Sequence, residues 1–568
     1  MRTMALWLML TLGLITACQK GPEADLILLN GRIVTLDSHN TIAQALAVKG
    51  DRILAVGKTA EIEKMKGETT RVIDLKGALV TPGLIEGHAH FLGLGEALLR
   101  LDLTRTRSWQ DIVDSVAHRA AQAKAGEWII GRGWHQEKWD SRPKKLVEGY
   151  PVHDALSQVS PENPVILTHA SGHALFINRK AMEMAGITRQ TPNPKGGKII
   201  RDARGNPTGV LLENAMDLVW KVYHQQVGEN PQQQKLRAAK KAMQACLKNG
   251  ITSFHDAGAS FADIEFFKRL AETEQLKVRL YVMILEPDQR LRQMLSQYRL
   301  IGYANNFLTV RAIKRYMDGA LGSHGAWLFK PYDDAPGSVG YNVISPDSLL
   351  ATARIAIKHG FQLCTHAIGD RANHEVLDVY ERVFKENPDK QDLRWRIEHA
   401  QLIHPVDVPR FASLGVIAAM QGIHCTSDGP WVEQRIGEKR AREEAYLWQT
   451  LWQSGAVVAN GTDAPVEPID PLANFYALIT RRMKNGAYFY PEQSLDAMQA
   501  LKAYTYNNAY AAFEEQLKGS LEPGKLADVT VFSRDILNDP PYKIPSTKVL
   551  YTIIGGKIVY QAADRTVE

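Results

Sequence analysis

Cysteine is scarce: the chain has four in 568 residues, and only Cys246, Cys364 and Cys425 lie beyond the N-terminal stretch. An odd set of three excludes a full disulfide framework, so these thiols are expected in the core. A dominant charge is lacking too. The 68 basic and 62 acidic residues leave a net charge of +6, spread along the chain. No basic run is interleaved with aromatics, which argues against a nucleic-acid partner. There are no internal repeats and no low-complexity linker. The apolar run Ala5–Ile15 is too short to span a bilayer. What remains is an ordinary globular composition, 45% hydrophobic. Its length suits two to four domains or one long α/β barrel.

The first residues, MRTMALWLMLTLGLITAC, place Arg2 before the apolar run and small residues before Cys18. That pattern is expected to be a secretory signal over residues 1–17, outside the fold. Ile15-Thr16-Ala17-Cys18 resembles a bacterial lipobox. The resemblance implies a lipidated Cys18 at the mature N-terminus and an exported lipoprotein. Gln19 does not resemble an inner-membrane retention signal, so the implied location is the outer membrane, facing the periplasm. The membrane would be touched only through that anchor. The alternative is a plain signal peptide with a coincidental cysteine.

Residues 25–37 and 42–56 alternate apolar and polar around NG and GD turns and are read as β-hairpins. ADVTVF (527–532) and VLYTIIGGKIVY (549–560) repeat the pattern at the other end. A small composite β-sandwich domain from both termini, 24–80 with 515–568, is expected. Between them eight strand candidates alternate with helical stretches such as Gln232–Lys248 and Leu349–His359. The first is Val80–Phe91 (VTPGLIEGHAHF). The others are Thr252–Asp256, Arg279–Ile284, Ala312–Met317, Gln362–His366, Arg396–His399, Val416–Gln421 and Val457–Asp463. Eight alternating units predict an α/β fold, a (β/α)8 TIM barrel over 81–514, with its catalytic groups at the C-terminal strand ends. The gap of about 150 residues after the first strand exceeds any ordinary loop. Residues 93–230 are therefore expected to be an insertion that walls or caps the site.

The first strand ends in His88 and His90, whose i, i+2 spacing puts both imidazoles on one face, about 7 Å apart. Alone, such a pair is more often two polar residues at a strand end than a metal clip. Read in order, however, the strand ends give His88 and His90, then Lys314, His366, His399 and Asp463. Each has a bland account of its own, but six together at one end of a barrel point to a metal centre.

With those motifs in place the chain resembles the amidohydrolase superfamily, in its amidohydrolase family 3 branch of YtcJ-like and N-substituted formamide deformylase-like proteins. NGRIVTLD, VTPGLIEGHAHF, GWHQEKW, THASGHALFIN, GSLEPGKLADVTVF and IIGGKIVY carry the likeness over nearly the whole mature chain. The resemblance implies a hydrolase of carbon–nitrogen bonds other than peptide bonds. It implies His88 and His90 on a buried metal, Lys314 carboxylated and bridging, His366 and His399 on a second metal, and Asp463 as metal contact and general base. The catalytic set would be Asp463, Lys314 and His366, and the cofactor two zinc ions. If Lys314 is unmodified, one ion held by His88, His90, His366 and Asp463 suffices. Asp318 and Glu398 are candidates to orient the ligands.

On the substrate side, His169 and His173 match the resembling HxSGH segment. Trp134, Asp318 and His424 are further candidates, each with a structural role as the alternative. The expected substrate is a small amide. Ester, lactone or deamination chemistry on the same site stays open, as do self-association and a binding lipoprotein without catalysis.

Overall fold

The computed structural model describes residues 22–567 apart from 105, 137–138, 142, 170–173 and 229–230. Cys18 and His173 thus lie outside the described residues. At the centre are eight strands: β1 (Leu84–Ala89), β2 (Ile251–Ala259), β3 (Arg279–Ile284), β4 (Leu308–Tyr316), β5 (Gln362–Ala367), β6 (Arg396–His399), β7 (Ile417–Met420) and β8 (Val458–Asn460). They are parallel and hydrogen-bonded in chain order from β1 to β8. Crossover helices such as Pro231–Lys248, Pro346–His359 and Asp370–Glu386 cover the outside. Ser345 caps the second of these, accepting from Ser348 N, with Pro346 at its first position. The fold is the expected α/β barrel, nearly closed.

The seam between β8 and β1 lacks a ladder and is stitched by single bonds. The Asn508 side chain donates to Ile85 O at 2.7 Å and to Asn460 O at 2.8 Å. Past the strand ends, Asp463 N donates to His88 O and His90 N to Ala464 O, both at 2.8 Å. β8 ends at Asn460, short of the expected Asp463, which takes the left-handed region at φ 58°.

The barrel interior carries more polar groups than a Val/Ile/Leu filling would. His255, Arg396, Glu398, Gln362 and Lys314 are all buried there. Cys246, Cys364 and Cys425 are free and buried, as expected.

Segments from both chain ends form two further sheets. One is four-stranded: Arg52–Gly57, Ala45–Lys49, Ala24–Leu29, Lys66–Asp74. The other is six-stranded: Lys557–Gln561, Val549–Ile554, Val529–Phe532, Leu79–Pro82, Arg32–Val34, Ile42–Ala43. Leu26, Leu46 and Val48 of the first pack with Ile33, Val80, Val529 and Ile553 of the second in one core. The 549–560 hairpin forms as expected, and the one expected over 42–56 forms over 45–57, with Ile42–Ala43 paired in the other sheet. The hairpin over 25–37 does not. Ala24–Leu29 pairs in the first sheet and Arg32–Val34 in the second, so the Asn30–Gly31 step crosses between sheets. Both strands are buried almost throughout, so the local pattern does not tell a hairpin from such a crossing.

Between Ala89 and Ile251 the chain builds a mixed sheet: Gly197–Arg201, Pro207–Glu213, Ala174–Ile177, Val165–His169, Ile129–Trp134, Leu101–Asp102. It has cores of its own, one around Trp109, Trp134 and Phe176 and another around Leu175, Ile187 and Val219. The insertion is a folded layer.

Candidate metal centre

The C-terminal end of the barrel gathers the residues that the strand order singled out. His88 lies in β1, Lys314 in β4, His366 in β5 and His399 closes β6. His90 follows β1, and Asp463 sits three residues beyond β8. Ring centroids are 4.8 Å apart for His88 and His399, 4.5 Å for His366 and His399, and 6.0 Å for His88 and His90. Asp463 Oδ1 is 3.2 Å from His90 Nε2 and 3.7 Å from His88 Nε2. Lys314 Nζ is 3.4 Å from His88 Nε2. All six positions therefore meet.

The second layer fixes the imidazoles. His88 Nδ1 donates to Glu398, whose carboxylate is paired with Arg396 through Nε at 2.7 Å and Nη2 at 2.9 Å. His399 Nδ1 donates to Gln421 Oε1 at 2.7 Å. Both rings thus turn Nε2 away from those partners, the arrangement in which an acceptor on Nδ1 sets the tautomer. Arg396 also donates to Gly87 O at 2.8 Å and faces His255 Nδ1 at 3.1 Å. Gln421, Arg396 and His255 escaped the sequence reading. An amide or guanidinium at a strand end has no spacing signature, although Arg396 and Glu398 share the inward face by the period of two.

Two backbone features hold the site. His399 and Asp463 take φ of 74° and 58°, sparsely populated for residues with side chains. Glu86 accepts from Thr462 N at 2.6 Å and Thr462 Oγ1 at 2.9 Å, pinning the turn that carries Asp463. Gly461 must stay a glycine there, since a Cβ would stand 2.4 Å from both Glu86 Oε1 and His88 N. Gly87 leaves room for the seam rather than for the imidazoles. Its Cβ would meet Asn460 O at 2.4 Å and Asn508 Oδ1 at 2.5 Å.

Protonation follows from burial and neighbours. Burial, then Lys314, pushes His88 down to about 4. Burial, then Lys314 and His88, pushes His366 down to about 3. His399 and the Lys314 amine are likewise lowered by burial. Burial opposes ionisation of Asp463, but His90, His88, His399 and His424 outweigh it and hold the carboxyl well below its usual range. Burial lifts Glu86 to about 8 and Asp318 to about 7. At neutral pH His88, His366 and His399 are therefore neutral imidazoles and Asp463 an ionised carboxylate, the states in which these groups bind a cation.

The donor set fits a divalent ion. Ligand-type atoms of His88, His399 and Asp463 lie within 4.8 Å of one another. His366 Nε2 and Asp463 Oδ1 are buried with no aligned hydrogen bond, although Asp318 Oδ1 is 3.5 Å from the former. Buried lone pairs of this kind are costly unless something binds them.

The remaining candidates lie as follows. Asp318 is buried and accepts from Trp327 N, Ile368 N and Gly369 N at 2.8–2.9 Å, so it ties the loops after β4 and β5 together. His424 begins the helix Gly422–Glu444, with Nε2 4.0 Å from Asp463 Oδ2. Trp134 is buried in the insertion's core, its indole N–H donated to Leu167 O at 2.8 Å. His169 packs edge-on against Trp134 at 4.6 Å and lies 4.7 Å from the His135 ring.

A model of the amidohydrolase family matches residues 71–560. The chain belongs to that family. It is similar to the protein LONG AFTER FAR-RED 3 of Arabidopsis thaliana, with 33% identity over 95% of this chain and 92% of that protein. The putative amidohydrolase YtcJ of Bacillus subtilis is 31% identical over 94% and 98%. The N-substituted formamide deformylase of Arthrobacter pascens is 27% identical over 94% and 98%. Among solved structures, an uncharacterised metal-dependent hydrolase of Pyrococcus horikoshii superposes with a TM-score of 0.70 at 26% identity, covering 91% of this chain and 99% of that one. The branch named from the motifs is thus borne out.

Proposed function

We propose that this amidohydrolase cleaves the C–N bond of a small amide in a metal-dependent reaction. The observation that carries the reading is the convergence of buried histidine nitrogens and a buried carboxylate at the mouth of a barrel of this family, with His366 Nε2 and Asp463 Oδ1 lacking an aligned hydrogen bond. His88, His90 and Asp463 would hold one divalent ion and His366 with His399 a second, zinc fitting the nitrogen-rich set. A metal held there would supply Lewis acidity to the carbonyl and the attacking water.

The protein's own groups do the rest. Asp463, ionised and 3.2 Å from His90 Nε2, accepts the proton of the attacking water and returns it to the departing amine. Glu398 and Gln421 fix the rings of His88 and His399. Lys314, fully buried with a lowered amine pKa, is set up to react with carbon dioxide, losing one proton to give a carbamate whose oxygens would add to the donor set. Resemblance of the Ile15–Cys18 segment to a lipobox supports export, anchoring through Cys18 and a periplasmic setting. Among the described residues no helix is long and apolar enough to cross a membrane.

The test is turnover of N-substituted formamides and N-acyl amines by the zinc-loaded protein. Release of amine by wild type and its loss in Asp463→Asn is the expected result; no release from any amide refutes the reading.

A further inference from the structure

The helix after β7, Gly422–Glu444, begins with a histidine that the proposed ligand set does not use. His424 Nε2 is buried and has no hydrogen-bond partner among the described residues. It stands 4.0 Å from Asp463 Oδ2, too far for a direct hydrogen bond, and its side chain is 12% exposed. The ring lies nearly parallel to that of His399, at 14° and 6.1 Å between centroids. A buried nitrogen without a partner is costly. A nitrogen and a carboxylate oxygen at this separation form the two sides of a gap that one polar atom can bridge.

The ring is held rigidly. Gln421, three residues earlier, accepts from His399 Nδ1 at 2.7 Å. Gly422 N donates to Asn460 Oδ1, at the end of β8, at 2.9 Å. His424 N donates to Gln421 O at 3.3 Å. One turn further on, Asp428 accepts from the Tyr446 hydroxyl at 2.6 Å. The first turn of the helix is thus tied to β6 and β8, which deliver His399 and Asp463.

The two oxygens of Asp463 face different neighbours. His90 Nε2 and His88 Nε2 lie 3.2 Å and 3.7 Å from Oδ1, whereas His424 faces Oδ2. Oδ1 belongs to the side of the proposed ligands. Oδ2 is left to carry a proton to the departing nitrogen.

We infer that His424 is a further catalytic residue, whose Nε2 accepts the N–H of the scissile amide nitrogen and turns that nitrogen's lone pair toward Asp463 Oδ2. As the C–N bond breaks, its electron pair stays on nitrogen. The nitrogen takes the proton that Asp463 removed from water, and its own hydrogen stays on His424, whose protonation does not change. The inference rests on the amide reading above and adds the group that handles the leaving nitrogen.

His424→Phe keeps a ring over His399 and removes the acceptor. Formanilides substituted from 4-methoxy to 4-nitro vary the basicity of the departing amine and keep its shape nearly constant. With the zinc-loaded full chain, the variant's kcat is expected to fall about 10–100-fold for the 4-methoxy substrate and only about threefold or less for the 4-nitro one, which leaves readily without help. Zinc content should match wild type. No loss, or an equal loss along the series, overturns the role, and so does a loss of zinc, which would make His424 a ligand. Should thermal unfolding show that the variant does not fold, His424→Ala takes its place. If no amide is hydrolysed, the amide reading fails, and calorimetric titration with benzylamine, which has N–H donors and no carbonyl, decides the contact without turnover. Binding about tenfold weaker in the variant sustains it; no binding to wild type, or equal affinities, refutes it.

Discussion

The two ends of the barrel bury the same kinds of residue and use them in opposite ways. At the N-terminal end the charges neutralise one another. Lys518 Nζ reaches Glu514 at 2.6 Å and Ser253 Oγ at 2.8 Å. Arg279, the first residue of β3, grips Asp528 through Nε at 2.7 Å and Nη2 at 3.0 Å, tying the barrel to the terminal sheets. At the C-terminal end Glu398 and Gln421 hold the Nδ1 atoms of His88 and His399, and His366 Nε2 and Asp463 Oδ1 are left without an aligned hydrogen bond. One end is closed on itself and stabilises; the other is left incomplete and binds. Lesions should divide accordingly, between stability and function.

The largest expected effect is at the incomplete end. Asp463→Asn keeps the shape and removes the proton acceptor, so turnover should fall by about 10²–10⁴-fold with the thermal midpoint of the metal-free protein little changed. Next comes the closed end. Asp528→Ala leaves Arg279 charged and buried, and denaturant unfolding should show a loss of about 3–5 kcal/mol, with activity per folded molecule retained. Third, Glu398→Gln weakens the carboxylate that orients His88. Metal affinity, measured by chelator competition, should drop about 10–100-fold. The smallest effect is on the pH dependence of stability. Burial opposes ionisation of Asp528, but Arg279 outweighs it, so its folded pKa lies below the usual 3.8. Its contribution is then present above about pH 4 and fades as pH falls through that value and below. The acid limb of unfolding should be shallower in Asp528→Asn than in wild type. Equal limbs would show that this pair does not set the acid stability.

The contrast also explains what was legible in the sequence. The incomplete end was readable because histidine, lysine and aspartate at successive strand ends are rare as a set, and the family motifs surround them. The closed end was not. Arg279, Asp528, Lys518 and Glu514 are ordinary charged residues whose pairing depends on how distant segments meet. The same holds for Gln421 and Arg396, which act through the ligands and have no spacing of their own. The false hairpin at 25–37 fails for a related reason, since the pattern reports what is buried but not which strand lies alongside. His424 stands out in sequence as a candidate, but its place opposite Asp463 Oδ2 depends on how the segments after β7 and β8 come together.

The most direct test of the central claim is metal analysis of the full chain after zinc supplementation and desalting, beside Asp463→Asn and His88→Ala. The account predicts at least one tightly held equivalent in wild type and a marked loss in His88→Ala. Less than about half an equivalent in wild type, or equal content in all three proteins, would contradict it.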